Sequence, residues 1–86
     1  MTAPYSVFLH LDATEALRSL RRTECDRVTR FAHSLARDPF QPGDFQERDE
    51  RHRANEVRIV GRVAVVYYAD HADREVRILE VRHAVP

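Results

Sequence analysis

Eighty-six residues with fourteen basic and fourteen acidic side chains, every basic one an arginine, give a chain of zero net charge. That balance argues against the bulk electrostatic attraction on which general nucleic-acid binding rests, although local patches stay open. A length of this order supports one domain, residues 1–86, with a thin core burying roughly 60 to 65% of the unfolded surface, and the single Cys25 excludes an internal disulfide.

Residues 5–11 (YSVFLHL) alternate and are rich in β-formers, which predicts a first strand. Asp12, with Glu15 three residues on, has capping-box spacing and opens a short helix to about Arg22. Thr23 with Asp26 repeats that start signal. Cys25, Val28, Phe31, Ala32 and Leu35 then recur at helical spacing until Asp38-Pro39 ends the run, and Cys25 on this stripe reads as a buried, reduced thiol. The run 39–43 (PFQPG) is turn chemistry. Residues 44–55 are almost entirely charged, with Phe45 the only large apolar side chain, and read as a short edge strand over 45–48 followed by a solvated loop.

The most informative stretch is 57–83. Gly61 and Arg62 sit between two β-branched runs, and a two-residue loop with Gly first is the sequence form of a type II′ hairpin, which needs φ > 0 at that glycine. The strand that follows, 63–68, has no polar group beyond two tyrosine hydroxyls, so both its faces are covered and it is central. A turn at HADR leads into a last strand, EVRILEVRH. The fold class is α+β: an N-terminal strand, a helical hairpin, then an antiparallel strand meander, with the helices packed on one face of the sheet.

This order, with Pro39-Phe40 after the second helix, the Val60-Gly61 hairpin leading into Val65-Val66-Tyr67, and the closing Ile78-Leu79-Glu80-Val81-Arg82-His83, resembles the RelE/ParE superfamily of small bacterial toxins from type II toxin–antitoxin pairs. The resemblance covers nearly the whole chain. In the ribonuclease branch it implies basic side chains on the concave face of the sheet and a basic or tyrosine side chain at or beyond the last strand. Such groups withdraw the 2′-hydroxyl proton, stabilise the phosphorane and protonate the leaving oxygen. At the central-strand position where that branch carries arginine this chain has Ala64, and after His83 it has Ala84, with no later tyrosine.

By strand alternation Ala64, Val66 and Tyr68 share one face, and Val76, Ile78, Glu80, Arg82 and Ala84 share one face of the last strand. Tyr68, Glu80 and Arg82 then gather on the open side, joined by Arg58 from the preceding strand. As candidates for a site, Arg82 and Arg58 bind phosphate or an acidic partner, with Glu80 as base. The competing reading is a salt bridge on a solvated sheet. His10, His33, His52, His71 and His83 show no metal-ligand spacing, and His83 reads as packed against the helices. His71 with Asp70 and Asp73 reads as a turn. With Gly43 and Gly61 the only glycines, no phosphate-cradling loop exists, so no cofactor is expected.

Three functions follow from the resemblance. One is a ParE-like toxin that binds a target such as DNA gyrase and needs no catalytic set. Another is a RelE-like endoribonuclease acting on mRNA, on the ribosome, with a displaced set such as Arg58, Arg62, Arg82 and His83. The third is an inactive member serving as an interaction module. Each implies a protein partner, above all a cognate antitoxin, for which Phe40, Phe45 and Val85 offer an apolar rim and an arginine-rich sheet suits an acidic tail. A homodimer is a further expectation. No apolar run spans a bilayer and no charged-then-apolar leader opens the chain, so the expected location is cytoplasmic, without membrane contact.

Overall fold

The computed structural model describes residues 4–84. Strand β1 (Ser6–Leu9) is followed by helices α1 (Leu11–Ser19) and α2 (Arg22–Arg37), then strands β2 (Phe45–Arg48), β3 (Ala54–Val60), β4 (Val63–Asp70) and β5 (Glu75–His83). They form one sheet in the order β1-β5-β4-β3-β2, in which β1 runs parallel to β5 and the other neighbours are antiparallel. β4 is the middle strand, and Val63, Ala64, Val65, Val66 and Tyr67 are all buried, as its unbroken apolar run requires.

The helices cover one face only. Val28, Phe31 and Leu35 of α2 and Ala13 of α1 pack on Val63, Val65 and Tyr67 of β4 and on Val76, Ile78 and Val81 of β5. Each fully buried aliphatic side chain there contributes about 1.5–3 kcal/mol. Tyr67 anchors the layer: its ring meets Phe31 edge-on at 5.5 Å, and its hydroxyl donates to the Gln41 carbonyl at 2.9 Å. Burial, reinforced by the nearby Glu56 charge, pushes its pKa up to about 12.

Both glycines have physical reasons. Gly61 has φ +63°, while Arg62 is not in the left-handed region, the pattern of a type II′ and not a type I′ turn. At Gly43 a Cβ would lie 2.5 Å from the Val57 carbonyl oxygen, so only glycine lets the 41–44 segment lie against β3. There Gly43 N–H donates to Glu56 Oε1 (2.8 Å) and Asp44 N–H to the Val57 carbonyl (2.8 Å).

Several local expectations need correction. α1 starts at Leu11 with His10 at its N-cap, so Asp12 is a first-turn carboxylate favoured by the helix dipole and not a cap. α2 starts at Arg22, because Glu24 already accepts the Arg21 N–H (3.2 Å), and Thr23 and Asp26 fall inside the helix. Cys25 is only half-buried. The charged loop is shorter than 49–55: β3 begins at Ala54, and Asn55 is 3% exposed because its Nδ2 donates to Asp49 across the turn. His83 is exposed, although it pairs with Val63 on the helix side. Val85 lies outside the described residues.

Strict alternation along β5 also fails, at a β-bulge. Val66 pairs with Glu80 and Tyr67 with Ile78, leaving Leu79 unopposed. Val76 and Ile78 therefore face the helices, whereas Glu80 and Arg82 face the open side. Leu79 joins Val57, Ala64, Val66 and Ala84 in a small second apolar cluster on that open face.

Candidate functional site

The open face is concave. Glu47 on β2 and Arg82 on β5 are separated by β3 and β4, three strand spacings or about 14 Å along a flat sheet. Their side chains nevertheless meet, so β2 curls back toward β5 and encloses a groove of about 870 Å³. Val66 and Leu79 form its apolar floor. Its walls carry five carboxylates, Asp12, Glu47, Asp49, Glu50 and Glu80, against two arginines, Arg48 and Arg51.

Arg82 sits at the centre of an ion-pair network. Its guanidinium takes Glu47 bidentately, Nη2 to Oε2 at 2.6 Å and Nη1 to Oε1 at 3.1 Å, and Nη1 also reaches Glu80 Oε2 at 3.1 Å. The Arg82 hydrogen bond holds Glu47 below the usual carboxylate range, and the same bond raises Arg82 further. Arg82 pairs directly with Ala64, whose methyl leaves room for the guanidinium to lie back across β4. Both Nη atoms of Arg82 are thus engaged by carboxylates, on side chains more than a third exposed.

The four sequence candidates do not form one site. Glu80 and Arg82 come together. Arg58 does not join them: it pairs with Val65, so it stands on the helix side, donating to the Pro42 carbonyl (3.4 Å) and lying 5.7 Å from the Phe31 ring centre. Tyr68 is on the open face but at its far end, where Arg53 lies 4.2 Å above its ring. Arg77, which pairs with Tyr68, is bound to Glu75 at 2.6 Å. Arg53, Arg77 and Arg82 are thus all engaged. Arg62 is an exposed hairpin residue whose carbonyl accepts from Ala84 N–H (2.9 Å).

Sequence reasoning missed Glu47 and Asn55. The signal was present in the alternation of FQER, where Phe45 and Glu47 must share a face, but nothing local reveals that β2 curls over β4. Asn55 pairs with Glu47, and its Oδ1 is buried without a hydrogen-bond partner. His71 hydrogen-bonds the Tyr5 hydroxyl through Nδ1 (2.9 Å) and stacks on Phe40 at 4.5 Å, so it is an aromatic packing residue. Among the described residues no group of His, Cys, Asp or Glu could hold a metal ion, and no helix is long and apolar enough to cross a membrane.

No family model and no curated protein matches this sequence. Solved structures do. The chain is similar to a chain of the RelBE2 toxin–antitoxin complex of Mycobacterium tuberculosis, at 28% identity and TM-score 0.79 over 99% of this chain and 98% of that one. The likeness of fold extends to a chain of the archaeal RelE–RelB complex of Pyrococcus horikoshii, at 21% identity and TM-score 0.77, covering 94% of this chain and 96% of that one. It also extends to the YoeB/ParE toxin of Agrobacterium tumefaciens, at 13% identity and TM-score 0.69, covering 91% and 96%. The chain has the fold of these RelE- and ParE-type toxin structures. Within it, the order of elements is the shared one, and the charge of the open face is what remains to be interpreted.

Proposed function

We propose that this chain is the toxin of a type II toxin–antitoxin pair, ParE-like in action: it binds a cytoplasmic target such as DNA gyrase and is neutralised by a cognate antitoxin. The observation that supports this reading is the state of Arg82. It is an arginine of the open face held by two carboxylates, Glu47 and Glu80, that line a groove whose acids outnumber its bases. A site built to cleave RNA needs uncommitted cations facing the phosphate. A binding surface does not. Pairing with an antitoxin is supported by the similar chains of the RelBE2 and RelE–RelB complexes.

Likeness to two RelE-containing complexes favours the ribonuclease as a second reading. It would require Arg82 to leave both carboxylates, and Arg58 could not assist from the opposite face. Induction of the chain alone in bacteria separates the two, with growth, plasmid supercoiling and mRNA integrity followed in one culture. Arrest with altered DNA topology and intact messages is expected. Arrest with rapid message loss would establish the ribonuclease instead, and absence of arrest would leave an interaction module.

A further inference from the structure

The two edges of the sheet are built differently. β2 closes one side with Phe-Gln-Glu-Arg, whose charged side chains are a common guard against pairing with another strand. β1 closes the other with Ser-Val-Phe-Leu, which has no charge, no proline and no bulge. The N–H groups of Ser6 and His10 donate inward, to the carbonyls of Arg74 (3.1 Å) and Ile78 (2.9 Å). By alternation the N–H and C=O groups of Val7 and Leu9 point outward, where the sheet has no further strand. At Tyr5 the outward N–H is taken by the Ala36 carbonyl of α2 (2.9 Å), so the open edge is the short run from Val7 to Leu9. Apolar side chains flank it on both faces. Phe8 is 47% exposed on the open face, and on the helix side Val7 and Leu9 line a groove of about 340 Å³ with Leu17, Ala32, Ala36 and Ile78.

We propose that β1 pairs with β1 of a second copy of this chain, antiparallel about a two-fold axis at Phe8, joining two five-stranded sheets into one. The run matches itself. With Phe8 opposite Phe8, Val7 stands opposite the second copy's Leu9 and Leu9 opposite its Val7, which puts every outward N–H and C=O of the run into a hydrogen-bonded pair. Phe8 then takes the non-hydrogen-bonded position, where facing Cα atoms lie about 4.5 Å apart, and the two half-exposed rings cover each other. A strand of another sequence would supply the backbone bonds but not this symmetric aromatic pair. A chain of zero net charge also meets its own copy without net repulsion. So short a run lies below the roughly 1,200 Å² of a standard interface, and a dissociation constant of about 100 µM is expected. The inference concerns an edge away from Arg82 and does not rest on the toxin reading.

The test is sedimentation of the purified full chain from about 5 to about 500 µM, a range that brackets the expected constant. The mass should rise from 10.1 kDa toward twice that value. Phe8→Glu should weaken association by about tenfold or more, because it sets two carboxylates against each other on the axis. Within its own copy the new carboxylate faces Arg77, the register partner of residue 8, so the fold is spared. Phe45→Glu, at a similarly exposed phenylalanine (50%) of the charged edge, should leave association unchanged. Amide hydrogen exchange of the unaltered chain needs no variant: Val7 and Leu9 should slow by about threefold across the concentration range, while Ser6 and Phe8 keep one rate. Undiminished association of Phe8→Glu, equal weakening by Phe45→Glu, or exchange at Val7 and Leu9 that ignores concentration would each overturn the proposal. A mass of 10.1 kDa at every concentration would do so too, and would leave this edge to a strand of a different protein.

Discussion

The two faces of the sheet use the same strands for opposite purposes. On the helix side Val65, Tyr67 and Ile78 are closed over by α2 and tolerate no charge, and they carry the stability of a chain with little core to spare. On the open side Val57, Ala64, Val66 and Leu79 make a small apolar cluster that no helix covers, with carboxylates and arginines lining the groove beside Val66 and Leu79. Stability and recognition are thereby divided by the pleat of a single strand, and β4 alternates between them residue by residue. The bulge at Leu79 keeps the division in β5, where Ile78 must point in and both Glu80 and Arg82 must point out.

The sharpest way to break that contrast is on the covered face. Leu35→Ala should cost about 2–5 kcal/mol in chemical denaturation, against a total of about 4–13 kcal/mol at this length. Tyr67→Phe should cost about 1 kcal/mol by losing the bond to the Gln41 carbonyl. It also sharpens the alkaline behaviour. Because the folded tyrosine binds its proton more tightly than the unfolded one, its contribution is complete below pH 10.0 and declines as pH rises toward about 12. That decline should be missing from a pH–stability profile of the variant.

Deletion of Leu79 tests the bulge itself. Removing the unopposed residue should leave Glu80 and Arg82 on the open side, with a folded chain about 1–2 kcal/mol less stable from lost packing on Val66. Amide spectra showing a scrambled β5 register would contradict the assigned pairing. The smallest effect belongs to the ion pair: Glu47→Gln should cost about 0.2–1 kcal/mol, since the pair is more than a third exposed. Glu47 binds its proton less tightly when folded, so this contribution is present above pH 4.5 and lost as pH falls through the depressed folded value. Wild-type and variant stabilities should converge in acid.

The sequence disclosed most of the architecture because its signals are local: the Gly61-Arg62 turn, the unbroken apolar run of β4 and the periodic stripe of α2 each specify their own element. Helix starts were misplaced because Asp12 and Thr23 look like caps, while His10 and Arg21, which take those positions, do not. The site was half legible. Glu80 and Arg82 were assigned to the open face, yet by an alternation that the bulge interrupts, and Arg58 was assigned to the wrong face because its phase depends on the pairing of β3 with β4. Glu47 depends on the curl of a strand far away in sequence, a property of the whole sheet that no local pattern encodes.

The most direct measurement is plasmid supercoiling by purified gyrase in the presence of the purified chain, with ribosome-bound mRNA incubated in parallel. Inhibition of gyrase with intact message is the outcome that a binding toxin with a committed Arg82 should give. Unimpaired gyrase together with cleaved message, abolished by Arg82→Ala, would show that the open face is catalytic after all.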